Sequence, residues 1–173
     1  MATKKTSIFT LTERLTSIAG GVDTFATIDL GSYVDVGDRQ AIQIHSVDYI
    51  FQGETPGTDV VSDLGNGNEI IVQVSDLNRG GLVFANDRAL ISSANFASDA
   101  SGGRDQAADL YPDNFGKGSD DGRYVVNDQL YLVARCTSQL GPINVTVRVN
   151  ASIVTLSSKD FMAIAIQSTA ADN

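Results

Sequence analysis

The chain has 173 residues, of which 42% are hydrophobic and 7% aromatic, a composition typical of one globular domain with its own core. Its formal net charge of −9 predicts an acidic surface and argues against nucleic-acid binding over the whole domain, because neutralising phosphates requires lysine and arginine. A single cysteine, Cys136, excludes an internal disulfide framework and a cysteine-based zinc cluster, and we interpret it as a buried strand thiol.

The amino-terminal segment starts with two lysines, Lys4 and Lys5, and no apolar block follows them. Neither a signal peptide nor a membrane-spanning segment is therefore predicted. Two positive charges are few for binding nucleic acid or a membrane. We therefore interpret this amino-terminal segment as a solvated tail, with contact to nucleic acid or a membrane as the alternatives. Thr10 and Glu13 have capping-box spacing, which favours a short helix, and a first strand through residues 7–12 is the alternative.

From Val22 onward, apolar and polar residues alternate with the period of half-buried strands. Between residues 41 and 52 the alternation changes phase, because Ile42 and Ile44 set one face and Val47 starts the other. This shift predicts a β-bulge near His45. The main segments predicted as strands are 22–30, 41–52, 69–75, 124–136 and 143–156.

The most regular segment is 142–156, PINVTVRVNASIVTL, in which aliphatic residues alternate with polar ones. Such a strand needs a second apolar layer to cover it, so the predicted fold is an all-β antiparallel sandwich with about eight strands and at most one or two short helices. Residues 161–166 form either a final strand or a short helix capped by Ser157 with Asp160. The predicted organisation is an amino-terminal arm at 1–21, one sandwich domain at 22–167 and a flexible tail at 168–173.

The sequence gives little support for a catalytic site. The one histidine, His45, lies within a predicted strand, where we interpret it as a structural residue and not as the base of a catalytic triad. No P-loop, nucleophile elbow or dinucleotide fingerprint is present, so we expect no enzyme activity and no cofactor.

Calcium is the one metal that the loops suggest. Asp113, Asn114, Asp120 and Asp121 lie in a glycine-rich segment and supply the hard oxygen ligands that Ca²⁺ prefers. A second group, made of two aspartate or glutamate and two asparagine residues, lies between positions 63 and 69. The alternative is ordinary turn chemistry, because aspartate, asparagine and glycine tolerate tight backbones.

In layout the chain resembles the single jelly-roll capsid proteins of icosahedral viruses. The likeness rests on the strand series given above, on the long irregular segment 97–122 and on the short arm at 1–9. It implies two four-stranded sheets packed face to face, with loops and terminal arms, including Lys4 and Lys5, making subunit contacts. The strongly basic arm of that family is missing, which fits a coat in which a membrane or another layer separates shell from genome.

The resemblance implies a viral coat subunit that self-assembles into a shell and is located in the virion. The expected partners are copies of itself, with a second capsid protein and membrane contact by the arm as further expectations. The alternative is a carbohydrate-binding or adhesion module stabilised by calcium, although the chain has no tryptophan to serve as a sugar platform.

Overall fold

A computed structural model describes residues 3–58, 60–101, 104–105, 115 and 122–169. Within them, ten strands form two antiparallel sheets and two helices are present. The strands are β1 (Thr3–Lys4), β2 (Phe9–Ile18), β3 (Thr24–Asp29), β4 (Gln40–Gln52), β5 (Glu69–Ser75), β6 (Leu90–Ser98), β7 (Arg104–Asp105), β8 (Arg123–Val125), β9 (Gln129–Cys136) and β10 (Ile143–Thr155). The helices are α1 (Val60–Leu64) and α2 (Ser158–Thr169).

The strands pair as in one long antiparallel hairpin that is wrapped into two sheets. β2 pairs with β10, β3 with β9, β4 with β8 and β5 with β6. The pairs β10–β4 and β9–β5 then join these ribbons into the β10 sheet (β1, β2, β10, β4, β8) and the β9 sheet (β3, β9, β5, β6, β7). This is the order of a double-sheet jelly roll, so the predicted fold class is confirmed.

β10 lies at the centre of its sheet and has the predicted alternation. Val145, Val147, Val149 and Ala151 are fully buried against the core, while Arg148 on the opposite face is exposed. β-Branched side chains suit a pleated surface, and burying each one stabilises the fold by about 1.5–3 kcal/mol. The β9 sheet provides the second apolar layer that the sequence required.

The predicted bulge is present at His45. Asn150 of β10 faces Ser46, and the next residue, Ala151, faces Ile44, so His45 is the extra residue in β4. This insertion reverses the phase of β4 and lets both Ile44 and Val47 reach the core.

The amino-terminal segment is a strand and not the short helix considered for it. Phe9–Ile18 pairs along β10, and Leu15 and Ile18 enter the core. Pairing with the edge of a long buried strand outweighs the local capping-box signal, because helix termini contribute only about 1 kcal/mol. Part of the predicted arm at 1–21 therefore belongs to the sandwich.

The carboxyl-terminal segment is a helix with the predicted cap. Ser157 Oγ donates to a carboxylate oxygen of Asp160 at 2.7 Å and accepts the Asp160 backbone N–H at 3.2 Å. The hydrogen bond from Ser157 lowers the pKa of Asp160. Phe161, 6% exposed, packs α2 onto the outer face of the β10 sheet beside Ala41 and Val154.

Loops gather at the two ends of the sandwich. The α1 end carries loops 19–23, 53–68 and 137–142, and the opposite end carries loops 30–39, 76–89 and 126–128. Backbone hydrogen bonds join neighbouring loops at each end, for example Leu140 N–H to the Asp63 carbonyl at 2.6 Å and Leu30 N–H to the Asp128 carbonyl at 2.7 Å. Among the described helices, none has the length and apolarity needed to span a membrane.

Candidate sites and interaction surfaces

The predicted calcium ligands Asp113, Asn114, Asp120 and Asp121 lie outside the described residues, so calcium binding there stays a prediction. Over the part of the chain that is described, no three acidic, histidine or cysteine side chains come together as a metal site.

The second acidic and amide group, between residues 63 and 69, does not converge on one point. An Asp63 carboxylate oxygen accepts the Glu54 N–H at 3.1 Å, and a Glu69 carboxylate oxygen accepts from the Asn95 side chain at 2.9 Å. The Asn68 amide donates to the Leu64 carbonyl at 3.1 Å. Asp63 and Asn68 thus stabilise the loop at 53–68, as ordinary turn chemistry does, whereas Glu69 joins β5 to β6.

The lysines of the predicted arm lie at the edge of the β10 sheet. Lys4 faces Val154 across the β1–β10 pair, and the Lys5 N–H donates to the Ile153 carbonyl at 2.8 Å. The Lys5 side chain is exposed. The backbone of this segment is thus held by the sheet, and its role in subunit contacts stays a prediction.

His45 belongs to a closed polar cluster. Its Nε2 lies 2.9 Å from Ser152 Oγ, and Ser152 Oγ donates to Gln43 Oε1 at 3.4 Å. A serine–histidine contact is the geometry of an activated nucleophile. Here, however, Ser152 is 0% and His45 3% exposed, so no substrate reaches the hydroxyl, and His45 is confirmed as a satisfied strand histidine.

Cys136 is buried at the end of β9, as predicted. Its Sγ donates to Gln139 Oε1 at 3.2 Å, and burial raises the pKa of the thiol. A protonated, enclosed thiol is a poor nucleophile and a poor metal ligand.

A buried carboxylate that the sequence did not single out joins the two sheets. Asp76, 2% exposed, follows β5, and its Oδ2 lies 3.4 Å from Nη2 of Arg123 at the start of β8. Arg123 also donates to the Arg88 carbonyl at 2.6 Å. Burial raises the pKa of Asp76, while Arg123 acts in the opposite direction.

A pocket of about 110 Å³ opens on the outer face of the β9 sheet. Phe25 and Thr27 of β3 and Tyr131 of β9 line it, and Gly80 and Gly81 of the β5–β6 loop form one wall. The loop stays over the sheet because Gln73 and Val83 exchange two hydrogen bonds, at 2.8 and 2.9 Å.

Large apolar side chains are exposed at several separate places on the described surface. Phe84 (87% exposed) lies in the loop over the β9 sheet, Val36 (70%) at the opposite end and Leu140 (81%) at the α1 end. Met162 (59%) and Ile166 (58%) lie one turn apart on α2. Phe25 (56%) is exposed on β3, and strand periodicity could not reveal Phe84, Val36 and Leu140, because these three lie in loops.

Comparison with known proteins gives structural matches alone, since no family model and no curated protein matches the chain. The chain is similar to the VP1 protein of Merkel cell polyomavirus, solved as an unassembled pentamer, with 7% identity, a TM-score of 0.47 and 90% of this chain and 98% of that chain covered. It is also similar to KI polyomavirus VP1, an unassembled pentamer, with 10% identity, a TM-score of 0.46 and coverage of 91% and 98%.

A further match is the VP1 of trichodysplasia spinulosa-associated polyomavirus in complex with sialylated glycooligomers, with 10% identity, a TM-score of 0.44 and coverage of 89% and 98%. Likenesses of this size assign no function, so the jelly-roll assignment rests on the strand pairing itself. At the level of strand order, the layout shared with single jelly-roll capsid proteins is confirmed.

Proposed function

We propose that this chain is a structural subunit, a viral coat protein, that assembles with copies of itself into a shell. The observation that carries the proposal is the strand pairing, which has the order of a double-sheet jelly roll, a layout that capsid subunits use. Exposed apolar side chains at separate places on the described surface are available for contacts with neighbouring copies.

The energetics support many weak contacts and not one strong one. Burying a single side chain of this size stabilises an interface by about 1.5–3 kcal/mol, which is too little for a stable pair after the cost of association. Closed symmetry repeats each contact and adds their effects, so a shell can be stable although each interface is weak.

The carbohydrate-binding alternative has a more specific requirement. A sugar platform needs exposed aromatic rings around a site that admits a pyranose. Phe25, which is 56% exposed, and Tyr131 line an open pocket of about 110 Å³ on the β9 sheet. Binding to a glycan array that is lost in Phe25→Ala would favour this alternative.

The same proposal includes location in a virion, contacts made by the Lys4–Lys5 segment and a second coat protein. It also includes calcium binding by the acidic residues between positions 113 and 121. The net charge of −9 makes the copies repel one another, so assembly should require salt, since screening shortens the reach of this repulsion.

Negative-stain electron microscopy of the purified protein, at low and high salt and with and without calcium, tests the proposal. Closed particles of uniform diameter are expected. The variant Phe84→Ser with Met162→Ser should remain folded by circular dichroism and lose the particles. The matched control Thr12→Ser with Thr16→Ser changes two exposed polar residues of β2 and should retain them. Single molecules under every condition would contradict the proposal.

A further inference from the structure

Helix α2 is apolar on both of its sides. Residues 161–166 read FMAIAI, which is six apolar residues in succession. The inward side packs on the outer face of the β10 sheet through Phe161, whereas the outward side exposes Met162, Ala163 and Ile166. A surface helix typically has polar residues opposite its apolar stripe, and a helix that is apolar all round is typically buried. The outward side of α2 therefore has the composition of a contact surface.

The charges of α2 differ between its two ends. Lys159 is exposed in the first turn and precedes Met162 and Ile166 by three and seven positions, so the three residues share one side of the helix. The sequence contains no lysine or arginine after Lys159, so the last turn has no basic residue beside the partial negative charge of the helix carboxyl end. The other charge of the first turn, Asp160, accepts a hydrogen bond from the cap residue Ser157. The outward side thus has a cation near its amino end and a partial negative charge at its carboxyl end.

This pattern is complementary to itself. When two copies of α2 pack antiparallel, Met162 of each lies against Ile166 of the other, and the small Ala163 between them lets the helix axes approach closely. Each Lys159 then lies beside the carboxyl end of the other helix, where a cation is stabilised. Parallel packing would bring the two lysines together and the two carboxyl ends together. A two-fold axis across the helices generates the antiparallel arrangement, in which one surface serves both copies.

Other occupants fit this side of α2 less well. Helices that lie in a bilayer interface have a polar face rich in lysine and arginine, whereas α2 contains one lysine, and anionic lipids repel a chain with a net charge of −9. The exposed residues Val36, Phe84 and Leu140 lie in three separate loops. Each is a single side chain, so none of them matches two large side chains one helical turn apart.

We propose that α2 of one copy packs antiparallel on α2 of a second copy about a two-fold axis, through Met162, Ala163 and Ile166. The inference rests on the proposed self-association and names one of its contacts. The 12 residues of α2 form a helix about 18 Å long, so this contact alone buries less than the roughly 1,600 Å² of a standard interface. It is a weak pairing that the other contacts of a shell reinforce.

Disulfide trapping tests both the contact and its direction. Met162→Cys and Ile166→Cys are purified separately and incubated under mild oxidation, alone and mixed. The mixture should form crosslinked dimers about tenfold faster than either variant alone, because antiparallel packing places position 162 of one copy beside position 166 of the other. The control Leu140→Cys introduces an exposed thiol at the α1 end and should crosslink as slowly as the single variants.

Mass spectrometry of the joined peptides identifies each bond and distinguishes it from any bond to the buried Cys136. Faster crosslinking of Met162→Cys with itself would show parallel packing and overturn the inference. A mixture that crosslinks no faster than Leu140→Cys would overturn it as well.

Charge reversal gives a second readout that needs no introduced thiol. Lys159→Glu should weaken self-association in sedimentation about fivefold more than Arg88→Glu, which makes the same change in net charge at an exposed position of the opposite end. Both variants should melt like the wild type, and equal effects on association would overturn the helix contact. Wild-type particles without the 162–166 crosslink would overturn this contact and leave the coat function standing. Crosslinked dimers that form no particles would support the contact and contradict the coat function.

Discussion

Replacing Arg123 with methionine is expected to destabilise the sandwich at pH 7 far more than at pH 3.5. Arg123 Nη2 lies 3.4 Å from Asp76 Oδ2, and the two side chains are 28% and 2% exposed. At an effective dielectric constant near 20, this separation corresponds to about 5 kcal/mol of attraction. Solvent at the exposed side of Arg123 reduces the effect, so we expect a coupling free energy of about 2–3 kcal/mol.

The sign of the pH dependence follows from the burial of Asp76. Burial raises its pKa above the ordinary 3.8, and loss of Arg123 raises the pKa further, because the larger of two opposing positive charges is gone and only Arg79 remains. A raised acid pKa contributes stability below the unfolded value and loses it as the pH rises through the folded value. The loss of unfolding free energy caused by Arg123→Met should therefore be complete at pH 7 and largely gone below the ordinary aspartate pKa.

Urea unfolding followed by far-ultraviolet circular dichroism measures the effect in four proteins: wild type, Arg123→Met, Asp76→Asn and the double variant. The bond from Arg123 to the Arg88 carbonyl is lost in both methionine variants, so it cancels from the cycle. At pH 7, Asp76→Asn should restore most of the stability that Arg123→Met loses. An equal loss at both pH values, or no rescue by Asp76→Asn, would refute this assignment of a buried charge pair between the sheets.

Three further predictions concern the core, the helix cap and the thiol. Leu15→Ala should lower the free energy of unfolding by about 2–5 kcal/mol, because Leu15 is 1% exposed, whereas Leu140→Ala should change it by less than about 0.5 kcal/mol; equal losses in urea would contradict the core assignment. Ser157→Ala should cost about 1 kcal/mol through loss of the α2 cap, and an unchanged thermal transition would count against that cap. Cys136 should react with a maleimide only after denaturation, and rapid labelling of the native protein would contradict its burial.

Features set by neighbouring residues could be predicted from the sequence. Side chains along a strand alternate between its two faces with a period of two residues. The alternation in β10 therefore predicts its buried and exposed faces, and the change of phase around His45 predicts the bulge. The α2 cap needs only Ser157 and Asp160, three positions apart. The sandwich class follows from the same patterns, since each half-buried strand requires a covering layer.

Features that depend on distant pairing could not be predicted in this way. The choice between helix and strand for Phe9–Ile18 is made by β10, more than a hundred positions along the chain, and local spacing left both alternatives open. Asp76 and Arg123 are 47 positions apart and meet only after β5 and β8 join opposite sheets. The exposure of Leu140 and the pocket beside Phe25 also require the folded surface, because hydropathy alone assigns both residues to a core.

Self-assembly is tested most directly by sedimentation velocity of the wild-type protein over a wide range of concentration and salt. A coat subunit predicts that the 18.3 kDa species gives way cooperatively to one large particle of fixed size as salt rises. A single species of 18.3 kDa at every concentration and salt would contradict it.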